Sequence, residues 1–273
     1  MSKRHAFILS DSTGITAENL GLSLLCHFPT VEFTIVSLSY IDSREKALDA
    51  ANRINEAATS SGARPLVFAT LSEAEIRSAI TDSDGIVFDL FDTFLGPLER
   101  ELGIGSEHGI GSSHGVQNPQ KYSDRISALN YTMRTDDGVN PHNYDLARVI
   151  IVGVSRTAKT PTSLYLALHY GIYAANYPLV GDVLDRGRLP DSIIAHRAKL
   201  FGLSIDPERL QQIRAERYSR GRYAELRQCQ YECSQAEAMY RRERIPFINT
   251  TAKSVEEIST TIVHRANLER DLM

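Results

Sequence analysis

The stretch of sequence that decides the fold is residues 148–160, which read RVIIVGVSRTAKT. Its first part, residues 148–152, is rich in β-branched residues, a composition that is typical of a buried strand. Gly153 follows at once, and a short segment then leads to Lys159, where a helical pattern begins and continues to about Tyr170. The order strand, loop, helix is that of one unit of a parallel sheet covered by helices.

The loop in this stretch follows the phosphate-binding pattern of glycine, four residues, glycine, lysine and serine or threonine, with one substitution. Backbone N–H groups of such a loop form a concave anion site at the start of a helix. Lys159 is placed to reach phosphate oxygens, and the hydroxyl of Thr160 to bind Mg²⁺. The alternative is a plain connection without a ligand. The predicted nucleotide-binding residues are Gly153, Val154, Ser155, Arg156, Thr157, Ala158, Lys159 and Thr160.

Ala158 and Arg156 are unusual residues in this loop. Ala158 stands where the pattern has its second glycine. If that position requires a positive φ, the alanine Cβ costs about 1–2 kcal/mol, whereas an ordinary helical conformation costs little. Arg156 is predicted to be catalytic together with Lys159, because a guanidinium beside a phosphate cradle can grip phosphate oxygens in two places. The alternative for Arg156 is a solvated loop arginine.

Strands and helices alternate on both sides of this stretch, which predicts an α/β protein with parallel sheets. A turn-rich segment at residues 136–141 suggests a domain boundary near residue 145. We therefore expect an N-terminal parallel-sheet α/β domain, residues 1–145, and a phosphate-loop kinase-like α/β domain, residues 146–273. Besides residues 148–152, the predicted strands are 5–9, 33–38, 66–69, 85–88, 172–176 and 246–249.

The composition excludes several classes of protein. The chain has 273 residues, of which 42% are hydrophobic and 23% charged, as in a globular protein with a core. No apolar run approaches the roughly 20 residues that a membrane helix needs, and we expect no membrane association. The three cysteines show no framework spacing, and no cleavage pattern follows the N-terminus. We therefore expect a cytoplasmic protein with reduced thiols.

The charge is distributed unevenly along the chain. Residues 1–145 carry 11 Lys and Arg against 20 Asp and Glu, whereas residues 146–273 carry 19 against 14. A basic second half suits an anionic ligand. It is too weakly basic, and too poor in interleaved aromatic residues, to indicate nucleic-acid binding.

Four carboxylates are candidates for the remaining chemistry. Asp182 follows the strand after the predicted phosphate-loop helix and could hold Mg²⁺ through water or orient an acceptor hydroxyl; its alternative is a turn aspartate. Asp11 lies at the carboxyl end of the first strand, where open α/β sheets place ligands, and could equally cap a helix. We include both among the predicted catalytic residues. Asp136 and Asp137 could supply a base, or only form a turn.

A row of arginines suggests a further contact with phosphate. Arg214, Arg217 and Arg220 recur every three residues, with Arg222 just beyond, and a helix would place them along one side. They could form a lid like that of small phosphate-loop kinases, or a solvated basic helix. The glycine-rich segment 103–115 contains His108 and His114 and is predicted to be a mobile loop that could close over a substrate. The alternative for these two residues is that they are solvent-exposed loop histidines.

A set of collinear motifs resembles one bacterial family, the regulatory proteins of pyruvate,water dikinase (phosphoenolpyruvate synthase), which are relatives of the pyruvate,phosphate dikinase regulatory proteins. The resemblance covers essentially the whole chain and is more specific than a phosphate loop alone. The family usually has glycine where this chain has Ala158. The motifs are SDSTGITAE (10–18), RPLVF (64–68), DDG (136–138), GVSRTAKTPTS (153–163), AANYP (174–178), LFGLSIDPERL (200–210) and SVEEI (254–258).

The resemblance implies two opposed activities on a dikinase. One is an ADP-dependent serine/threonine protein kinase that transfers the β-phosphoryl group of ADP to a threonine and inactivates the dikinase. The other uses inorganic phosphate to remove that phosphoryl group as pyrophosphate. The implied ligands are ADP and inorganic phosphate, besides the Mg²⁺ expected at Thr160. The implied partner is phosphoenolpyruvate synthase, and family likeness alone suggests a homodimer.

Three alternatives stay open at the level of sequence. The same reactions could act on pyruvate,phosphate dikinase, because the choice between the two branches rests on overall likeness. A phosphate-loop kinase for a small metabolite would need an enclosed acceptor pocket rather than an open face. A nucleotide-sensing protein without turnover would keep the loop and lack transfer.

Overall fold

A computed structural model describes residues 2–106, 119–217 and 221–268 of the chain. The chain divides into two compact units, Met1–Gly115 and Val116–Met273. Within the described residues, each unit contains a four-stranded sheet in which all strands are parallel, with helices between successive strands. The predicted α/β class with parallel sheets is therefore confirmed.

The first unit has the strand order β2-β1-β3-β4. Its elements are β1 (Ser2–Ser10), α1 (Ile15–Leu25), β2 (Val31–Leu38), α2 (Arg44–Ser61), β3 (Leu66–Thr70), α3 (Ala74–Thr81), β4 (Ile86–Asp89) and α4 (Leu90–Leu102). Phe7 and Leu9 of β1 pack with α2 and α3, whereas Ala6 and Ile8 pack with α1 on the opposite face. Burial on both faces explains why β1 reads as a continuous apolar run.

The sequence signals some helices of the first unit and not others. Helix α2 is capped by Ser43, whose hydroxyl accepts a hydrogen bond from the backbone N–H of Lys46 at 3.3 Å. Helix α4 was not predicted, since Pro97 and the glycine before it are helix-breaking signals. It begins after Asp89, whose carboxylate accepts from the first-turn amides.

The second unit has the strand order β6-β5-β7-β8. Its elements are α5 (Pro119–Arg134), β5 (Val149–Gly153), α6 (Lys159–Tyr170), β6 (Ala174–Pro178), α7 (Asp182–Asp185), α8 (Asp191–Ile194), β7 (Leu200–Ser204), α9 (Pro207–Arg217), α10 (Leu226–Glu243), β8 (Phe247–Asn249) and α11 (Val255–Arg265). Every residue of β5 and β7 is buried. Side chains of β5 alternate between a core with α10 and a core with α6 and α11.

Helix α5 packs on the second sheet. The Thr132 hydroxyl donates to the backbone O of Ala174 at 2.8 Å, and the rings of Tyr131 and Tyr173 lie 5.0 Å apart. The unit that contains β5 therefore begins well before residue 145, where the turn signals suggested a boundary. Those turns lie inside the second unit and join α5 to β5.

Strand β7 was not predicted, although it lies in the interior of the sheet between β5 and β8. Its run of apolar residues is interrupted by Gly202. A Cβ at this position would lie 2.8 Å from the Cβ of Phe247 and 2.9 Å from the ring of Tyr240. The glycine therefore marks a close approach between neighbours rather than a break in the strand.

The carboxyl ends of β5 and β7 are joined by one side chain. The phenol oxygen of Tyr240, a fully buried residue of α10, lies 3.0 Å from the backbone O of Val152 and 3.1 Å from that of Leu203. After β5 the chain runs to β6 on one side, and after β6 it crosses to β7 on the other. Such a switch point is where open α/β sheets bind ligands, and the predicted phosphate loop starts there.

The cysteines are free thiols: Cys26 is exposed, and Cys229 and Cys233 are buried in α10. In the part of the chain that the structure describes, no helix has both the length and the apolar character needed to cross a membrane.

Candidate active site

The loop between β5 and α6 begins at a glycine that the packing requires. A Cβ on Gly153 would lie 2.7 Å from the hydroxyl oxygen of Thr157 and 3.0 Å from the backbone O of Leu203. That Thr157 hydroxyl also donates to the backbone O of Val154 at 2.9 Å. The loop therefore turns sharply against β7 immediately after the strand ends.

Two residues of this loop adopt a left-handed backbone. Arg156 has a φ of 77° and Ala158 a φ of 66°, a region that residues with a Cβ rarely occupy. The sequence left two possible backbone conformations for Ala158, one with a positive φ and one helical. The structure shows the positive φ, which costs a residue with a Cβ about 1–2 kcal/mol. Strain of this kind persists only where the surrounding structure holds it, and it is common at functional sites.

The start of α6 presents unpaired backbone N–H groups. Ala158 is the residue before the helix, and no side chain caps the helix N-terminus. Within the described ranges, no protein acceptor receives a hydrogen bond from the backbone N–H groups of residues 155–160. Unpaired amides and the positive end of the helix dipole together form a site for an anion such as phosphate.

Lys159 lies against this row of amides. Its side chain is only 5% exposed, and its Nζ donates to the backbone O of Val154 at 3.1 Å. Burial lowers the pKa of Lys159 to about 8, against the opposing effect of the carboxylates of Asp137 and Asp136. Arg156 is close enough to lower this pKa further. An anion bound in the loop would stabilise the charged lysine.

Thr160 is joined to residues that are distant in sequence. Its hydroxyl donates to Oδ1 of Asp136 at 2.9 Å, and the side-chain amide of Asn176 donates to the same oxygen. The backbone N–H of Asp137 in turn donates to Oδ1 of Asn176 at 3.0 Å. The Asp-Asp-Gly segment is therefore both a turn and part of the site. Asp136 and Asn176 were not among the predicted nucleotide or metal residues, because spacing along the chain carries no signal for this contact.

Arg214 does not fit either role predicted for the arginine row. It is fully buried, and its guanidinium donates to the backbone O of Ser155 at 3.1 Å and to Glu232 at 2.6 Å. Arg217 and Arg222 are exposed, as a lid or a solvated helix would require, and Arg220 lies outside the described residues. Arg214 thus contacts the backbone of the phosphate loop from the protein interior.

Asp182 occupies the first position of α7. Its side chain is 84% exposed and is paired with Arg186 at 3.3 Å, one turn along the chain. In the described parts of the chain, no hydrogen bond or ion pair connects Asp182 with the phosphate loop. The segment before it does touch the loop, since the N–H of Leu179 donates to the backbone O of Gly153 at 2.9 Å. Catalysis by Asp182 stays a prediction.

Asp11 belongs to the first unit, at the end of β1. It is buried, and its carboxylate accepts a hydrogen bond from the backbone N–H of Ser72 at 2.6 Å. The residue before α1 is Gly14, so Asp11 is not the cap of that helix. Its catalytic role stays a prediction, and His108 and His114 lie outside the described residues.

The sequence is similar to those of known proteins over nearly its whole length. The sequence model of the kinase/pyrophosphorylase family matches residues 6–263. A protein of Alkalilimnicola ehrlichii is 50% identical over 271 residues, 99% of this chain and 98% of that protein. One of Hahella chejuensis is 51% identical over 271 residues, 99% of each chain. One of Legionella pneumophila (strain Lens) is 49% identical over 270 residues, 99% of this chain and all of that protein.

All three relatives carry the provisional name phosphoenolpyruvate synthase regulatory protein. The resemblance drawn from the sequence motifs is thereby confirmed.

Proposed function

We propose a function from one premise: the chain belongs to the kinase/pyrophosphorylase family. The proposed function is to regulate phosphoenolpyruvate synthase by two opposed reactions, ADP-dependent phosphorylation of a threonine and phosphate-dependent removal of that phosphoryl group. The shared name of the relatives supports the synthase as the protein substrate. The observation that carries the proposal is the row of unpaired amides at residues 155–160, with Lys159 and Thr160 at its end.

In the kinase direction, the β-phosphate of ADP would lie against these amides. The threonine hydroxyl oxygen attacks the β-phosphorus, and the bond from that phosphorus to the bridging oxygen breaks. AMP leaves with the electron pair of that bond, and the hydroxyl proton passes to a carboxylate. A loose transition state of this kind needs positioning and charge neutralisation, which the loop amides, Lys159 and Arg156 are placed to provide.

We assign the carboxylate that takes this proton to Asp137. Asp136 already accepts hydrogen bonds from Thr160 and Asn176. Asp137 is exposed, and its charge, like that of Asp136, opposes the lowering of the Lys159 pKa. An exposed carboxylate beside the phosphate site suits an acceptor that is part of another protein.

The residues present fit a bound Mg²⁺. The Thr160 hydroxyl and the Asp136 carboxylate are oxygen donors 2.9 Å apart, and oxygen is the ligand that Mg²⁺ prefers. Mg²⁺ held by these residues would neutralise negative charge on the phosphate oxygens. Thr160 was the predicted metal ligand, and we propose Asp136 as the second ligand.

In the reverse direction, the same cradle would hold inorganic phosphate. An oxygen of that phosphate attacks the phosphorus of phosphothreonine, the bond from phosphorus to the threonine oxygen breaks, and pyrophosphate forms. The threonine oxygen takes the proton that the attacking phosphate gives up, and Asp137 is placed to pass it from one to the other. Two phosphate groups then share one site, and Lys159 and Arg156 together supply positive charge for both.

The proposal is tested by incubating the full-length chain with purified phosphoenolpyruvate synthase, pyruvate, Mg²⁺ and ADP labelled at the β-phosphate, with labelled ATP in parallel. We expect label on a threonine of the synthase from ADP. Adding inorganic phosphate should then release labelled pyrophosphate. The substitution Thr160→Val should lower transfer by about 10–100-fold, the usual effect of losing a metal ligand or its support.

Thr162→Val is the matched control on the same helix. The Thr162 hydroxyl is buried and has no hydrogen-bond partner among the described residues, so the same exchange should leave transfer unchanged. Label on pyruvate,phosphate dikinase instead of the synthase would move the function to the other branch. Label on a small metabolite, or nucleotide binding without any transfer, would contradict the proposal. The cytoplasmic location and the homodimer stay predictions.

A further inference from the structure

We propose that Arg214 is a positioning residue of the phosphate loop, which fixes the peptide group between Ser155 and Arg156 so that the N–H of Arg156 faces the phosphate. The inference rests on the proposed function, because it takes the loop to be a phosphate site. It assigns a role to a residue that the sequence grouped with exposed arginines.

The first observation is that Arg214 is buried and that both of its terminal NH2 groups donate inside the protein, while its Nε has no acceptor among the described residues. Its exposed fraction is 0%. Its guanidinium donates to the backbone O of Ser155 at 3.1 Å, to the backbone O of Tyr223 at 3.0 Å and to Oε2 of Glu232 at 2.6 Å. A fully buried arginine is rare and is kept only where it is paired and hydrogen-bonded. With these contacts made, Arg214 acts on the loop backbone rather than on a ligand.

The second observation concerns the peptide group that Arg214 holds. In a planar trans peptide, the carbonyl oxygen of one residue and the N–H of the next point in opposite directions. Because the carbonyl oxygen of Ser155 points to Arg214 in the interior, the N–H of Arg156 points away from it. No protein acceptor in the described residues takes that N–H. It therefore stays available to a phosphate oxygen.

The third observation is the strain at the next residue. Arg156 has a φ of 77°, which a residue with a Cβ adopts only when its surroundings hold it there. The hydrogen bond from Arg214 fixes the peptide group on the N-terminal side of Arg156 and so supplies such support. Without it, rotation of this peptide group would relieve the strain and turn the N–H away from the site.

The side chain of Ser155 is also held by a contact. The ring of Tyr223 lies under the Arg214 guanidinium at 4.2 Å, and its hydroxyl lies 2.9 Å from that of Ser155. Glu232 of α10 is itself held by Gln228 at 2.9 Å. Helix α9, the turn at Arg222–Ala224 and helix α10 thus converge on the backbone and the side chain of Ser155. The arrangement is stiff where phosphate binding requires fixed donors.

The experiment compares the wild-type chain with Arg214→Met/Glu232→Leu, which removes both partners and leaves no unpaired buried charge. ADP with Mg²⁺ is titrated by calorimetry, and the backbone N–H signal of Arg156 is followed by nitrogen-15 NMR. In the wild type, ADP should shift this signal strongly. In the folded double variant, we expect the shift to be lost and the Kd for ADP to rise about tenfold.

Two further variants make the result decisive. Arg188→Met/Asp191→Leu makes the same exchange at an exposed ion pair and should bind ADP as the wild type does. Arg214→Lys keeps a cation beside Glu232 but lacks the planar fork that reaches several acceptors, so binding should be intermediate. If the double variant fails to fold, Arg214→Lys carries the test by the same two measurements.

The outcomes separate this inference from the proposed function. A wild-type chain that shows no heat and no NMR response with ADP contradicts the proposed function and this inference with it. A wild-type response that persists unchanged in the folded double variant, or in Arg214→Lys if the double variant does not fold, overturns the role of Arg214 alone. Loss of the Arg156 response together with weaker binding supports it.

Discussion

The two units have the same strand order, and each has its first strand inside the sheet, followed by a loop and a helix. In both, the helix begins after a left-handed residue and has no side-chain cap. That residue is Gly14, with a φ of 82°, in the first unit and Ala158, with a φ of 66°, in the second. The sequence showed no internal repeat, so this likeness is visible only in the structure.

The two loops differ in their hydrogen bonds and in their charge. In the first unit, Asp11 accepts from the N–H of Ser72, and the Ser39 hydroxyl donates to the backbone O of Thr13 at 2.9 Å. That loop contains no lysine or arginine. In the second unit, the amides of residues 155–160 are unpaired and two basic residues lie among them. The N–H groups of residues 13–17 in the first loop also have no protein acceptor among the described residues, so the two basic residues are what distinguish the second loop. The comparison teaches that topology places a loop with free amides at this edge of a sheet, and that positive charge suits one of the two loops to an anion.

The largest expected effect is at Lys159. Lys159→Met should lower phosphotransfer to the synthase by about 10²–10³-fold, because a preorganised positive charge at the transferring phosphate is lost. Asp11→Asn, measured in the same labelling assay, reports what the first loop contributes. An equal loss from both substitutions would break the comparison, since the first loop would then share in the chemistry.

The next largest effect is a pH dependence of the free energy of unfolding. Lys159 of the second loop should cause it, and the first loop, which has no lysine, should not. The pKa of Lys159 is about 8 in the folded protein, against an ordinary value of 10.5, so the unfolded chain binds more protons between these pH values. The fold therefore carries a penalty from this group below pH 8, and the penalty disappears as the pH rises towards 10.5. It amounts to about 3 kcal/mol at most.

Urea unfolding of the ligand-free protein at pH 7 and pH 10 measures this penalty. Lys159→Met removes the titrating group, so the variant should be the more stable protein at pH 7, and its advantage should shrink at pH 10. A constant difference between the two proteins across this range would show that Lys159 is not buried against the loop.

The smallest effects compare the two left-handed residues directly. Ala158→Gly relieves backbone strain and should raise Tm by about 2–4 °C, the equivalent of roughly 1 kcal/mol. Gly14→Ala introduces strain, and its Cβ would lie 2.8 Å from the hydroxyl of Ser39, so Tm should fall. Calorimetric scans of the two variants test the opposite signs. A stabilising Gly14→Ala would mean that the loops do not share their geometry.

Much of this fold was predictable from local pattern. Short apolar runs bounded by turn residues located β1 to β6 and β8, because a strand buried on both faces has a distinctive composition. The Ser-x-x-Glu spacing of residues 254–257 is a capping-box signature for the start of α11, where the Ser254 hydroxyl accepts from the N–H of Glu257 and the Glu257 carboxylate accepts in return. Helix α4 and strand β7 were missed because Pro97 and Gly202 read as breaks, although one is tolerated in the helix and the other permits close packing.

The site was predictable only in its contiguous part. Residues 153–160 follow one another in the chain, so their pattern reports their geometry. Asp136 lies 24 residues from Thr160, and Arg214 lies 59 residues from Ser155, so only tertiary packing brings these pairs together. The arginine spacing was real but misleading, because a three-residue period does not say which member turns inward.

Tyr240 ties together the carboxyl ends of β5 and β7 in the second sheet. Its single hydroxyl proton is shared between two carbonyls on neighbouring strands, beside the last pairs of the ladder between them, which ends at Gly153 and Leu203. These two hydrogen bonds therefore oppose any separation of β5 and β7 next to the predicted phosphate loop. If a protein segment docks here, as proposed, the connections around the strands have to move to admit it, while the two strand ends beneath the loop stay joined through Tyr240.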